Sequence, residues 1–298
     1  MIPITIVTVI LRGWRWTILM RPFAPQVKIL DASLAMMICY VANFIIPRSG
    51  EALRVLSLKW KREVPISPVL ATVVVERILD LVWLVIFIGL SLLILRDRIN
   101  DSFPDLVPYT IVALAGCAFA LTGLVLISIF RDRALHFTER LLTPLSSKLS
   151  TVVTRHLGTF IQGLSALRNP AAYLEIVVSS FLLNFGYIMI IYAGFTSFGL
   201  TGPEGLRLSA ALVVMAISSI GVILPAAGAI GTYHFFFKES LTLLYQIPET
   251  EALACATVIH AFSNSTYFIF GLPAFFIQYN ASKRNKTPPS PTAVEPAL

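Results

Sequence analysis

Residues 41–54, Val-Ala-Asn-Phe-Ile-Ile-Pro-Arg-Ser-Gly-Glu-Ala-Leu-Arg, run an apolar segment into Pro47, Gly50 and three charges, Arg48, Glu51 and Arg54. A helix cannot pass through this stretch unchanged. Proline lacks a backbone donor and glycine relaxes the turn, so at membrane depth the freed backbone groups need protein or water partners. The same outline returns at Gly221-Val-Ile-Leu-Pro225-Ala-Ala-Gly228-Ala-Ile-Gly231. In both copies an Ile-Ile or Ile-Leu pair meets proline, and glycine follows three residues later. Paired interrupted segments in two halves of a membrane chain are the pattern of inverted-repeat transporters, with the site between them. The alternative is two Pro-kinked membrane helices sharing a short motif by chance, because Gly and Pro are common in such helices.

Composition places the chain in a bilayer. It is 56% hydrophobic and 13% charged, with a mean hydropathy of +0.80, far from the balance of a soluble domain. Several runs approach the roughly 20 residues of a membrane-spanning helix, and no ten-residue alternation supports a barrel. The expected fold is an all-α polytopic membrane protein with two re-entrant helical hairpins related by an inverted repeat. The net charge of +7 sits mainly between apolar runs, which fits topology and anionic-lipid contact and not nucleic acid. Cys39, Cys117 and Cys255 lie within apolar runs at no metal-ligand spacing, so packing roles are expected, with no metal and no cofactor. The first arginines follow the opening apolar run instead of preceding it, which excludes a signal peptide. Ile2 to about Leu11 reads as the end of a membrane helix.

Charge then orients the segments. Linker 12–31 carries Arg12, Arg15, Arg21 and Lys28 against Asp31, a net of +3, and 48–65 is also +3. Two successive positive linkers belong in the cytoplasm, so the segment between them enters and leaves on one side. Residues 66–95 cross outward to 96–106, of net −1, and 107–130 return to a basic stretch, 131–171, of net +4. There, apolar residues from Leu142 to Leu167 recur near helical spacing among basic ones. That pattern fits an amphipathic helix in the membrane interface, or one covering other helices. Residues 172–199 cross outward, 208–237 form the second broken segment, and 238–252, of net −2, lie outside. Residues 253–277 return inward. The expected organisation is one transmembrane domain over 1–277, with repeat halves at about 32–95 and 208–277. A disordered cytoplasmic tail is expected over 278–298. Cell-membrane localisation follows, with basic loops and C-terminus inside.

Glu76, Arg77 and Asp80 stand inside an apolar helix, where an unpaired ion costs at least a few kcal/mol. Glu76 and Asp80 share a face, and Arg77 reaches Asp80 at three residues' spacing. They make either an ion network locking helix packing or the wall of a polar cavity, with Arg77 holding an anion. Arg48 and Arg54 flank the break with Glu51 between them. Arginine's planar fork suits phosphate oxygens, although positive-inside anchoring explains the same residues. Gly228 and Gly231 permit close backbone approach. His234 and His260 titrate near neutral pH in principle, but lone intramembrane histidines commonly serve packing.

Asn43-Phe-Ile-Ile-Pro47-Arg48-Ser-Gly50-Glu51-Ala-Leu-Arg54, Val75-Glu76-Arg77-Ile-Leu-Asp80 and Leu224-Pro225-Ala-Ala-Gly228-Ala-Ile-Gly231-Thr-Tyr-His234 together resemble the transmembrane region of the lysylphosphatidylglycerol synthase, or flippase-like, family. The resemblance runs from about Leu11 to Phe276. It implies movement of lipids with modified or glycosylated head groups between leaflets, or service as the membrane part of a lipid-modifying protein. Relatives usually carry another membrane helix ahead of the segment holding Arg15-Trp16, and fused members add an aminoacyl-transferase domain. Neither is expected here, so synthesis of the lysyl lipid is not implied.

The expected activity is non-enzymatic lipid translocation without ATP, since no Gly-Lys-Ser/Thr phosphate loop is present. Substrate binding is assigned to Arg48, Gly50, Glu51, Arg54, Arg77, Gly228 and Gly231, and ion coupling to Glu76, Asp80 and His234. Pro47 and Pro225 form the structural breaks. The partners are membrane lipids with an anionic head group or lipid phosphate, and a lipid-modifying enzyme. The alternative is an intramembrane enzyme or accessory scaffold acting on polyprenyl-phosphate lipids, glycolipids or phospholipids.

Overall fold

A computed structural model describes residues 1–95, 106–144, 146–165, 169–202 and 205–286. Expectations for the 96–105 loop and the end of the tail lie outside these residues. The described chain is all helical, without strands. Its helices are α1 (Ile2–Met20), α2 (Ile29–Ile45), α3 (Gly50–Arg62), α4 (Ile66–Ile94), α5 (Leu106–Ile129) and α6 (Arg131–Leu142). They continue as α7 (Ser147–Gly163), α8 (Pro170–Ser197), α9 (Leu208–Ile223), α10 (Thr232–Tyr245) and α11 (Glu249–Lys286). Four of them, α1, α4, α8 and most of α11, are long and apolar enough to cross a membrane.

The distribution of side chains is that of a lipid-embedded bundle. Phe119, Leu174 and Ile269 are exposed, while Arg15, Arg54 and Glu76 are fully buried. Water would penalise both halves of that arrangement, whereas hydrocarbon accepts the first and forces the second.

Both breaks fall where proline and glycine place them. Between α2 and α3 the chain leaves helical geometry at Ile46, and Arg48 takes a left-handed φ of 63°. The arms then fold back on each other. At the turn, Gly50 N–H donates to Asn43 Oδ1 at 2.8 Å, and Ser49 Oγ donates to the Ala42 carbonyl at 3.0 Å. At the open end, Arg62 Nε donates to Asp31 Oδ2 at 2.7 Å. The two arms are therefore antiparallel. Gly50 is required by proximity, because a Cβ there would collide with the Cys39 carbonyl. The second hairpin repeats the design. Gly221 of α9 lies against Thr232 at the start of α10, and Val213 clusters with Leu244 and Tyr245 at the open end. Its turn, Ala227–Ala229, is a short 3₁₀ segment in which Gly228 adopts φ 56°.

The hairpins open toward opposite ends of the bundle. Helix α11 starts at Glu249, beside the open end of the second hairpin, and reaches the open end of the first, where Gln278 donates to the Asp31 carbonyl at 3.0 Å. Helix α4 likewise runs from the end of α3 to Leu95, which packs on Val213. The turns meet between them. Arg48 donates to the Ile223 carbonyl at 2.9 Å, and Gly228 lies against the Phe44 ring. The arms of 17, 13, 16 and 14 residues are about 20–25 Å long at 1.5 Å per residue. Each is shorter than the ~30 Å hydrocarbon core.

Helix pairing has a matching order. α1 packs on α2, α2 on α3 and α3 on α4; α8 packs on α9, α9 on α10 and α10 on α11. The halves interlock where α2 meets α11 and α4 meets α9, and α1 packs on α8 across the seam.

Three sequence expectations change. The first apolar segment continues as helix to Met20, so Arg12 and Arg15 are helical and buried, and the linker begins near Arg21. The amphipathic helix expected over Leu142–Leu167 spans Ser147–Gly163 as α7, with α6 a separate helix before it. α6 buries no residue, while Ile161 in α7 and the following Leu164 are buried, Leu164 in a cluster with Ala71 and Val75 of α4. The last helix extends through 278–286, nine residues into the segment expected to be disordered.

Candidate functional site

Seven ionisable side chains from three helices converge inside the first half. Arg54 Nη1 donates to Glu76 Oε2 at 2.6 Å, and Arg54 Nη2 pairs with Glu51 Oε2 at 2.8 Å. Glu76 Oε1 lies 3.5 Å from Arg15 Nη2, which donates to Asp80 Oδ1 at 2.5 Å. The other Asp80 oxygen accepts from Arg12 Nη2, also at 2.5 Å. The helical spacing of Glu76 and Asp80 places them one turn apart, so α4 presents both carboxylates to the arginines of α1 and α3.

The surroundings hold the cations in place. Arg12 Nη1 donates to the hydroxyls of Tyr40 and Tyr187 at 3.1 and 3.2 Å, and Arg15 Nη1 to Ser180 Oγ at 3.3 Å. The Arg54 guanidinium sits 4.6 Å from the Trp16 ring centroid, and Trp16 donates to Thr72 Oγ1 at 2.9 Å. Arg15, Arg54 and Glu76 are inaccessible to solvent or ligand.

Arg77 is different. Its side chain is 45% exposed and makes only long contacts, 3.6 Å to Glu51 Oε1 and 3.4 Å to Asp80 Oδ2. Four arginines face three carboxylates in this cluster, so with all groups ionised one positive charge is in excess. The exposed and loosely held member is Arg77, whose donor fork matches a phosphate or carboxylate. An arriving anion competes there only with Glu51 and Asp80, each about a quarter exposed.

The second half carries a neutral counterpart. A cleft of about 610 Å³ is lined by Phe44, Ile230, His234, His260, Asn264 and Phe268, among others. His260 Nε2 lies 2.8 Å from the Gly228 carbonyl, and its ring centroid is 4.8 Å from that of His234. Gly231 N–H donates to His234 Nδ1 at 3.4 Å. Tyr40 stacks on Tyr267 of α11 at 4.2 Å, linking the Arg12 end of the network to the helix that lines the cleft.

The structure thus joins Glu51, Arg54, Glu76, Arg77 and Asp80 in one network. It places Arg48 at the contact between turns and Gly228, Gly231 and His234 around the other cleft. Of the predicted binding arginines, Arg54 is enclosed by its partners and Arg77 is open. Sequence reasoning missed Arg12, Arg15, Tyr40 and Tyr187. The available signal was that Arg12 and Arg15 are three residues apart with Trp14-Arg-Trp-Thr-Ile-Leu-Met continuing the apolar run, which places both on one helical face. Among the described residues, no group of three or more His, Cys, Asp or Glu side chains is arranged to hold a metal ion.

Residues 1–271 match the family described as the lysylphosphatidylglycerol synthase TM region. The chain belongs to that family. The match spans both hairpins, the charge network and most of α11. The chain is also 20% identical over 286 residues to the glycosyltransferase AglD of Haloferax volcanii, covering 88% of this chain and 46% of that protein. The chain thus spans about half the length of that relative. No solved structure matches it. Family and fold make this lysylphosphatidylglycerol synthase TM region chain a membrane protein.

Proposed function

We propose that the chain translocates a lipid with an anionic or modified head group between leaflets, without ATP and without making or breaking covalent bonds. The observation that carries this reading is Arg77, an exposed guanidinium on a network whose other arginines are firmly paired. An anionic head group would exchange for Glu51 and Asp80 on Arg77 while its chains stay in the bilayer. The opposed hairpins are read as re-entrant arms of an inverted repeat, an architecture that places substrate where the two halves meet. In this reading Glu51 and Asp80, released by the head group, are the groups available for ion coupling. Glu76 positions Arg54 and Arg15.

The proposed topology puts the open end of the first hairpin in the cytoplasm of a cell membrane. Arg21 and Lys28 before it and Lys59, Lys61 and Arg62 at its end support that side even after Arg12, Arg15 and Arg54 are withdrawn to the interior.

The test is leaflet exchange of labelled phosphatidylglycerol in vesicles containing the purified chain. Exchange above empty vesicles, reduced at least tenfold by Arg77→Gln with an unchanged thermal midpoint, is expected. No gain over empty vesicles across anionic and glycosylated head groups, with or without a pH gradient, would sink the reading.

The likeness to AglD favours one second reading, the membrane part of a glycolipid-processing system, as enzyme or scaffold. It predicts a new lipid product by mass spectrometry, or retention of function in a folded Arg77→Gln variant.

A further inference from the structure

Helices α6 and α7 pack against each other away from the charge network and enclose a cleft of about 370 Å³. Its lining includes Arg131, Glu139, Ser150, Thr154, Arg155 and Thr159. Glu139 is the single acid against two arginines there, and neither arginine forms an ion pair among the described residues. The hydroxyls differ in a telling way. Ser150 donates to the Glu139 carbonyl and Thr159 to the His156 carbonyl, but the buried Thr154 Oγ1 has no hydrogen-bond partner. A buried hydroxyl left unpaired costs about 1–3 kcal/mol, so its presence beside two unpaired cations points to an oxyanion. Gly158 also lines the cleft on the α7 side, close to Leu135 of α6.

The same two helices indicate the source of the oxyanion. Phe137 and Leu141 of α6 are 69% and 60% exposed, and Val152 of α7 is 46% exposed. Apolar side chains beside basic ones on helices of a membrane protein fit the head-group boundary.

We propose that the α6–α7 cleft is a phosphate-ester site, occupied by the head group of an anionic phospholipid. Arg131 and Arg155 neutralise the phosphate, and the Thr154 hydroxyl donates to one oxygen. The site tethers α6 and α7 to the membrane surface. It is independent of the translocation reading, because Arg77 and its partners lie on other helices.

Native mass spectrometry of the full chain, delipidated and titrated with dioleoylphosphatidylglycerol, tests it. Arg131→Gln/Arg155→Gln is expected to lose one bound lipid, with affinity at that site falling at least tenfold, while Arg77 remains intact. Thr154→Val should weaken the same site about threefold, and Glu139→Gln should tighten it. Inorganic phosphate displacing the lipid at equal concentration assigns the site to free phosphate. Failure of phosphate to compete assigns it to the lipid. The proposal is overturned if the folded double variant binds as many lipids as the parent chain, or if dioleoylglycerol binds the site as well as phosphatidylglycerol.

Discussion

Removing Arg54 and removing Glu76 break the same 2.6 Å ion pair, yet their costs should differ. Glu76→Gln leaves Arg54 with Glu51 at 2.8 Å and Arg15 with Asp80 at 2.5 Å, so each buried cation keeps a carboxylate. Arg54→Met leaves buried Glu76 with only Arg15 at 3.5 Å. Breaking a buried pair costs about 3–5 kcal/mol, and the first substitution belongs at the lower end and the second at the upper. Loss of the Trp16 stack, worth about 2 kcal/mol when desolvated, adds to the second. The pair of substitutions together strands no buried charge, since Glu51 retains Arg77 and Arg15 retains Asp80. Arg54→Met/Glu76→Gln should therefore be no less stable than Arg54→Met alone, a coupling of at least about 3 kcal/mol in the double-mutant cycle. Chemical unfolding in detergent micelles, with membrane abundance measured in parallel, reads the order. The network argument is refuted if the two losses simply add, or if Glu76→Gln is the more damaging substitution.

The other substitutions separate geometry from chemistry. Gly50→Val forces a branched side chain toward the Cys39 carbonyl and Asn43 Oδ1, and should cost about 3 kcal/mol, seen as loss of monodisperse protein on size exclusion. Arg48→Ala removes the bond to the Ile223 carbonyl, and should cost only about 1 kcal/mol while amides of 221–231 exchange faster than in the parent chain. Equal protection of that segment in both proteins would mean that the turns are held together by other contacts. Arg77→Gln, with no short ion pair to lose, should leave both stability and exchange protection as they are and act only on lipid movement.

What the sequence made legible was local. The two breaks could be placed because proline and glycine act on their own turn, and the charges of α4 stood out against an apolar run. The partners of those charges were not legible. Asp80 is held by Arg12 and Arg15, 68 and 65 residues earlier, and no pattern within one helix records such a pairing. Arginine after an apolar run also has two physical meanings, a helix end anchored at the membrane surface or a buried cation whose carboxylate lies elsewhere. Arg21, which pairs with Glu175 on the surface, fits the first, and Arg12 and Arg15 the second. The same ambiguity hid the enclosure of Arg54. The Leu142–Leu167 pattern outruns its helix for a different reason: apolar spacing continues past both ends of α7, at Ser147 and Gly163.

The two hairpins have similar outlines but different chemistry. In the first hairpin the breaking motif is followed by Glu51 and Arg54, which bind carboxylate and guanidinium partners on α4; in the second it is followed by His234, next to His260 on α11. Such divergence leaves the backbone constraint in force on both sides, because groups freed by proline at membrane depth need partners whatever side chains surround them. Asn43 and Ser49 supply them at the first turn, while Arg48 and His260 meet the Ile223 and Gly228 carbonyls of the second. The breaks are therefore bonded junctions rather than loose hinges. Separating the hairpins to admit a head group must exchange the Arg48 bond for one to lipid or water, and an anionic lipid offers that guanidinium a stronger acceptor than a neutral carbonyl. In the proposed translocation, substrate charge and hairpin separation would be coupled through Arg48 for that reason, with Arg77 receiving the head group once the turns have parted.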